Sequence, residues 1–204
     1  DKNINLKPIN LTVYDNLFRG APDWIKSLST KRNFEFVNKN IVDIEISKMP
    51  TYNYIIHAAS IASPIFYRKF PIETMDANVI GLRKLLDHAL ASKGSLEGFL
   101  FFSTSEIYGD PDTANIPTHE DYRGNVSCTG PRACYDESKR YGETMCVNFA
   151  KQHALPIGIA RPFNNYGPGL KINDGRVIPD FANCIFKDED IVLFSDGSPT
   201  RTFC

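Results

Sequence analysis

Long apolar runs are missing from this sequence. Nowhere do residues approach the roughly 20 consecutive apolar positions of a membrane-spanning helix, and the opening Asp1-Lys2-Asn3-Ile4-Asn5 lacks the apolar core of a secretory signal. The chain therefore reads as soluble, with a cytoplasmic location as the expectation. Nor is there a surplus of either charge: 23 Lys and Arg stand against 24 Asp and Glu, for a net charge of −1. That balance removes the electrostatic case for a nucleic acid or an anionic membrane as partner. Cysteine is sparse and unpaired in pattern, since Cys128, Cys134, Cys146, Cys184 and Cys204 contain no C-x-x-C, and the histidines His57, His88, His119 and His153 are scattered. Zinc sites need clustered ligands of these types, so no metal is expected and the cysteines read as reduced thiols. Internal repeats and low-complexity tracts are also absent.

What remains is sufficient for one globular domain or part of one: 204 residues, 42% hydrophobic and 23% charged. Short apolar, β-branched or aromatic runs alternate with longer stretches of helical period, the pattern of an α/β protein with a largely parallel sheet. Strands are predicted at Leu11 to Tyr14, Phe34 to Val37, Tyr54 to His57, Phe99 to Ser103, Ile157 to Ala160 and Ile191 to Phe194. The clearest helix runs from about Pro71 to Ala91, with Ile72, Met75, Val79, Leu82, Leu86 and Leu90 at spacings of three and four. Further helices are expected from about Tyr135 to His153 and Ile178 to Lys187, and Pro117, Pro131, Pro168 and Pro199 mark loops.

Two constellations could carry chemistry. In Tyr135-Asp136-Glu137-Ser138-Lys139 the phenol and the ammonium are four residues apart, hence on one helical face. Alone, this spacing is far more often an ordinary surface pair. Read as function, a phenol whose ordinary pKa is near 10 is brought toward neutrality by a neighbouring ammonium that stabilises phenolate. The second is Phe102-Ser103-Thr104-Ser105-Glu106-Ile107-Tyr108-Gly109, where an apolar strand opens into a loop of hydroxyls and a carboxylate. Ligands of open α/β sheets bind at such carboxyl ends, although hydroxyls at a strand exit also serve to satisfy backbone groups.

Together S-T-S-E-I-Y-G-D-P, G-P-R-A-C-Y-D-E-S-K-R-Y-G-E-T-M, R-P-F-N-N-Y-G-P, N-D-G-R-V and D-G-S-P-T-R-T-F resemble the extended short-chain dehydrogenase/reductase family, from about Leu11 to Cys204. Within it the sequence is most similar to the NAD-dependent UDP-glucuronate decarboxylases, the UDP-xylose synthases. The resemblance implies a doubly wound, parallel-sheet Rossmann-type domain over residues 1–163 and the start of a small substrate lobe over 164–204. It also implies a homodimer paired through the helices Pro71 to Ala91 and Tyr135 to His153. The family's glycine-rich phosphate loop has no counterpart here, so the expectation is a chain truncated at both ends that binds NAD poorly by itself, with any N-terminal anchor or targeting signal lost.

Carried over by residue, the resemblance makes Thr104 the hydroxyl on the sugar O4, Tyr135 the base that takes its proton, and Lys139 both the tuner of Tyr135 and a holder of the nicotinamide ribose. Asp15, followed by Asn16, matches the acidic residue on the adenosine ribose hydroxyls, favouring NAD over NADP because a 2′-phosphate would be repelled; its plainer reading is a turn-forming Asp. Asp43 and Ile44 match the adenine contacts, and His57, Ala58, Ala59 and Asn78 the cofactor side, with His57 as packing. Ser105, Arg132, Asn164 and Arg201 fall on the substrate side, Arg201 near its phosphates or carboxylate. A 4,6-dehydratase would place Asp-Glu where Ser105-Glu106 stands, and a 4-epimerase would leave Glu106 without a task. UDP-glucuronate decarboxylation is therefore the favoured reaction; an epimerase, a dehydratase or a non-catalytic relative is the alternative.

Overall fold

The computed structural model describes residues 8–203 except Pro168, Asn173, Phe194, Pro199 and Arg201. The chain forms two compact units, residues 1–45 and 46–204. In the first, β1 (Leu11–Asp15) and β2 (Phe34–Asn38) pair in parallel, Leu11 opposite Phe34 and Asp15 opposite Asn38. They are joined through a short helix, α1 (Asp23–Leu28). Beyond β2, Asn40 opens a single helical turn over Ile41–Asp43 by accepting from the Val42 amide with its side chain.

In the second unit β3 (Tyr54–His57), β4 (Gly98–Phe102) and β5 (Ile157–Ala160) form a parallel sheet in that order. Parallel neighbours need long crossovers. The first consists of α2 (Pro64–Lys69), α3 (Pro71–Asp76) and α4 (Leu82–Ala91), and the second contains the 21-residue α5 (Ala133–His153). Prolines at the first helical positions of α2 and α3 suit a site whose amide has no intrahelical partner. The last helix is α6 (Val177–Lys187). Alternation sends Ile55, His57, Phe99 and Phe101 to the buried face of this sheet, where α4 contributes Leu82, Leu85, Leu86 and Ala89. Helix α5 closes tightly on the same face: a Cβ at Gly142 would stand 2.6 Å from the Phe101 ring and 3.2 Å from Leu82. The opposite face carries Tyr54 and Ile56, both more than 60% exposed. With Gly98, Leu100 and Gly158 these line an apolar concavity of about 370 Å³.

Five of the six expected strands form, each within one residue of its predicted bounds. Ile191 to Leu193 do not: they are exposed and outside any strand, with no ladder partner among the described residues, while Phe194 lies outside those residues. The loop markers Pro168 and Pro199 lie outside them as well. The predicted helix over 71–91 exists, but its expected stripe is corrected in the first half. Ile72 and Met75 are exposed, and Thr74 and Asn78 are buried in their place. A π-turn over Ala77–Gly81 is the cause. One extra residue rotates the preceding segment by about 100° relative to α4, which aligns Thr74 and Asn78 with Leu82.

Candidate active site at the strand ends

The site begins where β4 stops. Thr104 keeps an extended backbone, and its side-chain oxygen accepts from the Glu106 amide at 3.3 Å, opening a single 3₁₀ turn over Ser105–Tyr108. The turn ends at Gly109, whose φ of +65° and closeness to the Asn125 carbonyl leave no room for a Cβ. Backbone bonds from Ser103 to Ala160 and from Ser105 to Pro162 tie this exit to the end of β5. Arg161, at that end, fastens it further. Its guanidinium donates to both Glu143 carboxylate oxygens at 2.9 and 2.7 Å, to the Tyr108 hydroxyl at 3.0 Å and to the Glu120 carbonyl at 2.6 Å.

Helix α5 carries the phenol and the ammonium into this frame, and Tyr135 and Lys139 are both buried. The Tyr135 phenol takes a side-chain hydrogen bond with Thr104, which lowers its pKa, as does the Arg176 guanidinium; burial outweighs both and raises it. The expected downward pull is thus outweighed, because removing the phenolate from water costs more than the neighbouring groups return. Lys139 Nζ donates to the Phe102 carbonyl at 2.7 Å and lies 5.8 Å from the Tyr135 ring centroid. Burial brings its pKa down to about 7.

Behind the pair, Asn78 Nδ2 donates to Ser138 Oγ at 2.9 Å, and Ser138 Oγ donates to the Tyr135 carbonyl at 3.0 Å. His57 bonds the Ala77 carbonyl through Nε2 at 3.2 Å, and burial holds it neutral with a pKa of about 3. Asn78 Oδ1 and His57 Nδ1 are buried without a partner among the described residues. These orphaned polar atoms, beside a buried ammonium at the carboxyl ends of parallel strands, suit a dinucleotide cofactor.

Glu106 forms an ion pair with Arg132, and Arg132 Nε lies 3.4 Å from Asp136 on the next helical turn. Arg132, expected on the substrate, is therefore occupied by two carboxylates of its own chain. Ser105 is half-buried in the same turn; Ala58 and Ala59 follow β3, the first exposed and the second half-buried. Asn164 donates to the Thr202 carbonyl at 3.0 Å. Arg201 lies outside the described residues.

Asp15, Asn16, Asp43 and Ile44 belong to the first unit. Asp15 Oδ1 accepts from the Leu17 amide at 2.6 Å and Asn16 Oδ1 from the Phe18 amide at 3.0 Å, so the turn-forming reading of Asp15 is realised. Asp43 is exposed and Ile44 buried.

The model of the NAD-dependent epimerase/dehydratase family matches residues 5–204. The chain belongs to that family. Among curated relatives, UDP-glucuronic acid decarboxylase 1 of Danio rerio is 40% identical across 95% of this chain and 44% of its own length. UDP-glucuronic acid decarboxylase 5 of Arabidopsis thaliana is 38% identical across 100% of this chain and 58% of its own. The chain thus spans about half the length of the curated relatives it matches. Among solved structures, UDP-glucuronic acid 4-epimerase from Bacillus cereus, in complex with UDP-glucuronic acid and NAD, superposes with a TM-score of 0.78 at 25% identity, covering 94% of this chain and 60% of that one. The parallel sheets and their helices are the Rossmann-type fold of this family.

Two residues beside Tyr135 escape a reading of the sequence. Arg176 lies within N-D-G-R-V, but nothing in that stretch shows that its charge acts on Tyr135. Its segment is strapped down by the Asp174–Arg176 ion pair at 2.7 Å and by Ser63 Oγ, which donates to the Asp174 carbonyl at 2.8 Å. Tyr67 stacks on Tyr135 with ring centroids 5.2 Å apart and planes 8° from parallel, and no motif marked it.

Proposed function

We propose that this chain carries the catalytic centre of an NAD-dependent nucleotide-sugar enzyme, in particular a UDP-glucuronate decarboxylase that forms UDP-xylose through a 4-keto intermediate. The observation that carries this reading is the Glu106–Arg132 ion pair beside the hydrogen-bonded Thr104–Tyr135 pair. Ser105 stands where a 4,6-dehydratase would place the Asp of its Asp-Glu pair, and a serine hydroxyl is no acid for a leaving group. A 4,6-dehydratase needs an acid for the leaving C6 hydroxyl, whereas a decarboxylase needs none.

In the proposed reaction Thr104 hydrogen-bonds the sugar O4 and Tyr135 removes its proton, with Lys139 on the nicotinamide ribose and Asn78 and His57 lining the cofactor side. The nicotinamide, when bound, supplies the acceptor and later the donor of the hydride at sugar C4. Asp15 would meet the adenosine ribose, with Asn16, Asp43 and Ile44 on the same cofactor half. The carboxylate then lies β to a ketone, and its C–C bond breaks to release CO₂ and leave an enolate. A proton returns to C5. Ser105 and Glu106 position the sugar or a water, while Asn164 and Arg201 serve the phosphates or the carboxylate. Residues up to 163 are assigned to cofactor binding and 164–204 to the start of the substrate lobe.

The exposed apolar residues Ile72, Met75, Ile80, Tyr141 and Val147 on α3, the π-turn and α5 support pairing of two copies through these helices. No described helix is long and apolar enough to cross a membrane, and the free thiols of Cys128, Cys134, Cys146 and Cys184 suit a reducing, cytoplasmic compartment. Mass spectrometry of the complete protein mixed with NAD⁺ and UDP-glucuronate tests the reaction. Loss of CO₂ from the nucleotide sugar is expected, whereas an isomer of unchanged mass would replace the reading by epimerisation. Light scattering tests the dimer, and a monomer would reject it.

A further inference from the structure

We propose that Tyr67 is a positioning residue for Tyr135, its ring fixing the plane and aim of the phenol while its hydroxyl takes no part. This rests on the proposed reaction, in which Tyr135 removes the O4 proton. Tyr67 stands on α2 and is 1% exposed, although 68 residues separate it from Tyr135 (135 less 67). The two rings lie face to face at 5.2 Å and 8°. The backbone is drawn to the same place, since the Cys134 thiol, immediately before Tyr135, donates to the Tyr67 carbonyl at 3.5 Å. Side-chain torsions have several staggered wells, so a phenol held only by Thr104 could swing about its Cα–Cβ bond and carry its hydroxyl off the sugar O4. A parallel ring against one face removes that freedom.

The Tyr67 hydroxyl, in contrast, is buried and has no partner among the described residues. The charged and titratable groups that face Tyr135 are Asp136 and Lys139 on α5, Arg176 before α6, and Tyr67 itself. Replacing the Tyr67 ring leaves the first three in the sequence. Tyr67→Phe removes only the titrating hydroxyl and Tyr67→Met keeps the volume that buries Tyr135, so the difference between these two variants reports on the position of Tyr135.

The experiment uses the complete protein with NAD⁺ and UDP-glucuronate. It follows CO₂ release at steady state and the transient NADH absorbance of a single turnover, from about pH 6 to about pH 10, in wild type, Tyr67→Leu, Tyr67→Met and Tyr67→Phe. Misplacing a reacting group by an ångström costs about 100-fold in rate. The expectation is a kcat 10- to 100-fold lower in Tyr67→Leu, a KM for UDP-glucuronate within about threefold of wild type, and a displaced pH profile of NADH formation. Tyr67→Phe rescues both rate and profile. Tyr67→Met keeps the volume without a flat ring and stands in if the leucine variant does not fold.

A phenylalanine variant as impaired as the leucine one would place the work in the hydroxyl and overturn the proposal. So would proportional losses with an unmoved pH profile, the mark of simple destabilisation. If wild type forms neither NADH nor CO₂, the reaction is what fails. Ultraviolet titration of the Tyr135 phenol, taken as the difference from Tyr135→Phe, then decides the inference. A Tyr135 ionisation that moves in Tyr67→Met but not in Tyr67→Phe supports it, and one unmoved in both rejects it.

Discussion

Replacing Lys139 by methionine should stabilise the folded protein at acid pH, and the advantage should shrink as the pH rises. The ammonium is 2% exposed, and burial holds its pKa at about 7 against an ordinary 10.5. Between those values the unfolded chain binds a proton that the folded chain does not, so stability rises with pH. Below about 7 both states are protonated, and the folded state carries the full cost of a buried cation. Integrating the linkage relation from pH 9 to pH 6 gives a loss of about 3 kcal/mol. Methionine has similar reach and no charge, and the hydrogen bond lost to the Phe102 carbonyl contributes a pH-independent offset. The window closes near pH 9 because the Cys146 thiol, which burial pushes up to about 12, adds the opposite slope above its ordinary 9.0. Urea unfolding followed by circular dichroism at several pH values gives the difference between variant and wild type, in which titrating groups not coupled to Lys139 cancel, whereas Cys146 and His57, which feel its charge, do not. A difference that stays flat from pH 6 to pH 9 would falsify the account of a desolvated ammonium.

Gly142→Ala should lower stability by about 1–3 kcal/mol, against the roughly 1 kcal/mol gain that helix propensity assigns to the same change, because the new methyl meets Phe101. A higher melting temperature would show that α5 and β4 can separate at little cost. Glu143→Gln removes the charged fork that holds Arg161 at the end of β5 and should cost about 2–3 kcal/mol, read as a shift of the denaturant midpoint; no shift would mean the fork is energetically idle. Asp15→Asn keeps an acceptor for the Leu17 amide while removing the charge. In the complete protein it is expected to preserve the fold and relax a preference for NAD over NADP in calorimetric titrations, and an unchanged preference would remove Asp15 from the ribose.

Elements whose patterning is local were legible in advance. β3 and β5 begin and end at the predicted residues, since both are short apolar, β-branched runs, and in β3 the side chains alternate between one buried and one open face. The Tyr135–Lys139 face was legible for a similar reason, because a four-residue spacing on a helix is itself a geometry. Ile191 to Leu193 had the right composition for a strand but find no ladder among the described residues, and composition alone contains no partner. The 71–91 helix shows the same limit in another form. Its period was correct, yet the π-turn reassigned the buried face to Thr74 and Asn78, and no apolar spacing announces an inserted residue.

The residues that perform local work (Thr104 ending its strand, Tyr135 and Lys139 on one helical face, Asp15 closing its turn) were determined by the sequence itself, because each needs only neighbours within a few positions. What each group faces was decided by tertiary structure. Tyr67 reaches the Tyr135 ring from α2, Arg176 acts on the same phenol from beyond β5, and Arg132 is spent on Glu106 and Asp136. Desolvation likewise exists only after packing, so the rise of the Tyr135 pKa and the fall of Lys139 toward neutrality are properties of the folded chain. Hydrogen-bond capping and helical spacing act over one turn, whereas burial sums over elements that are distant in sequence and adjacent only in the fold.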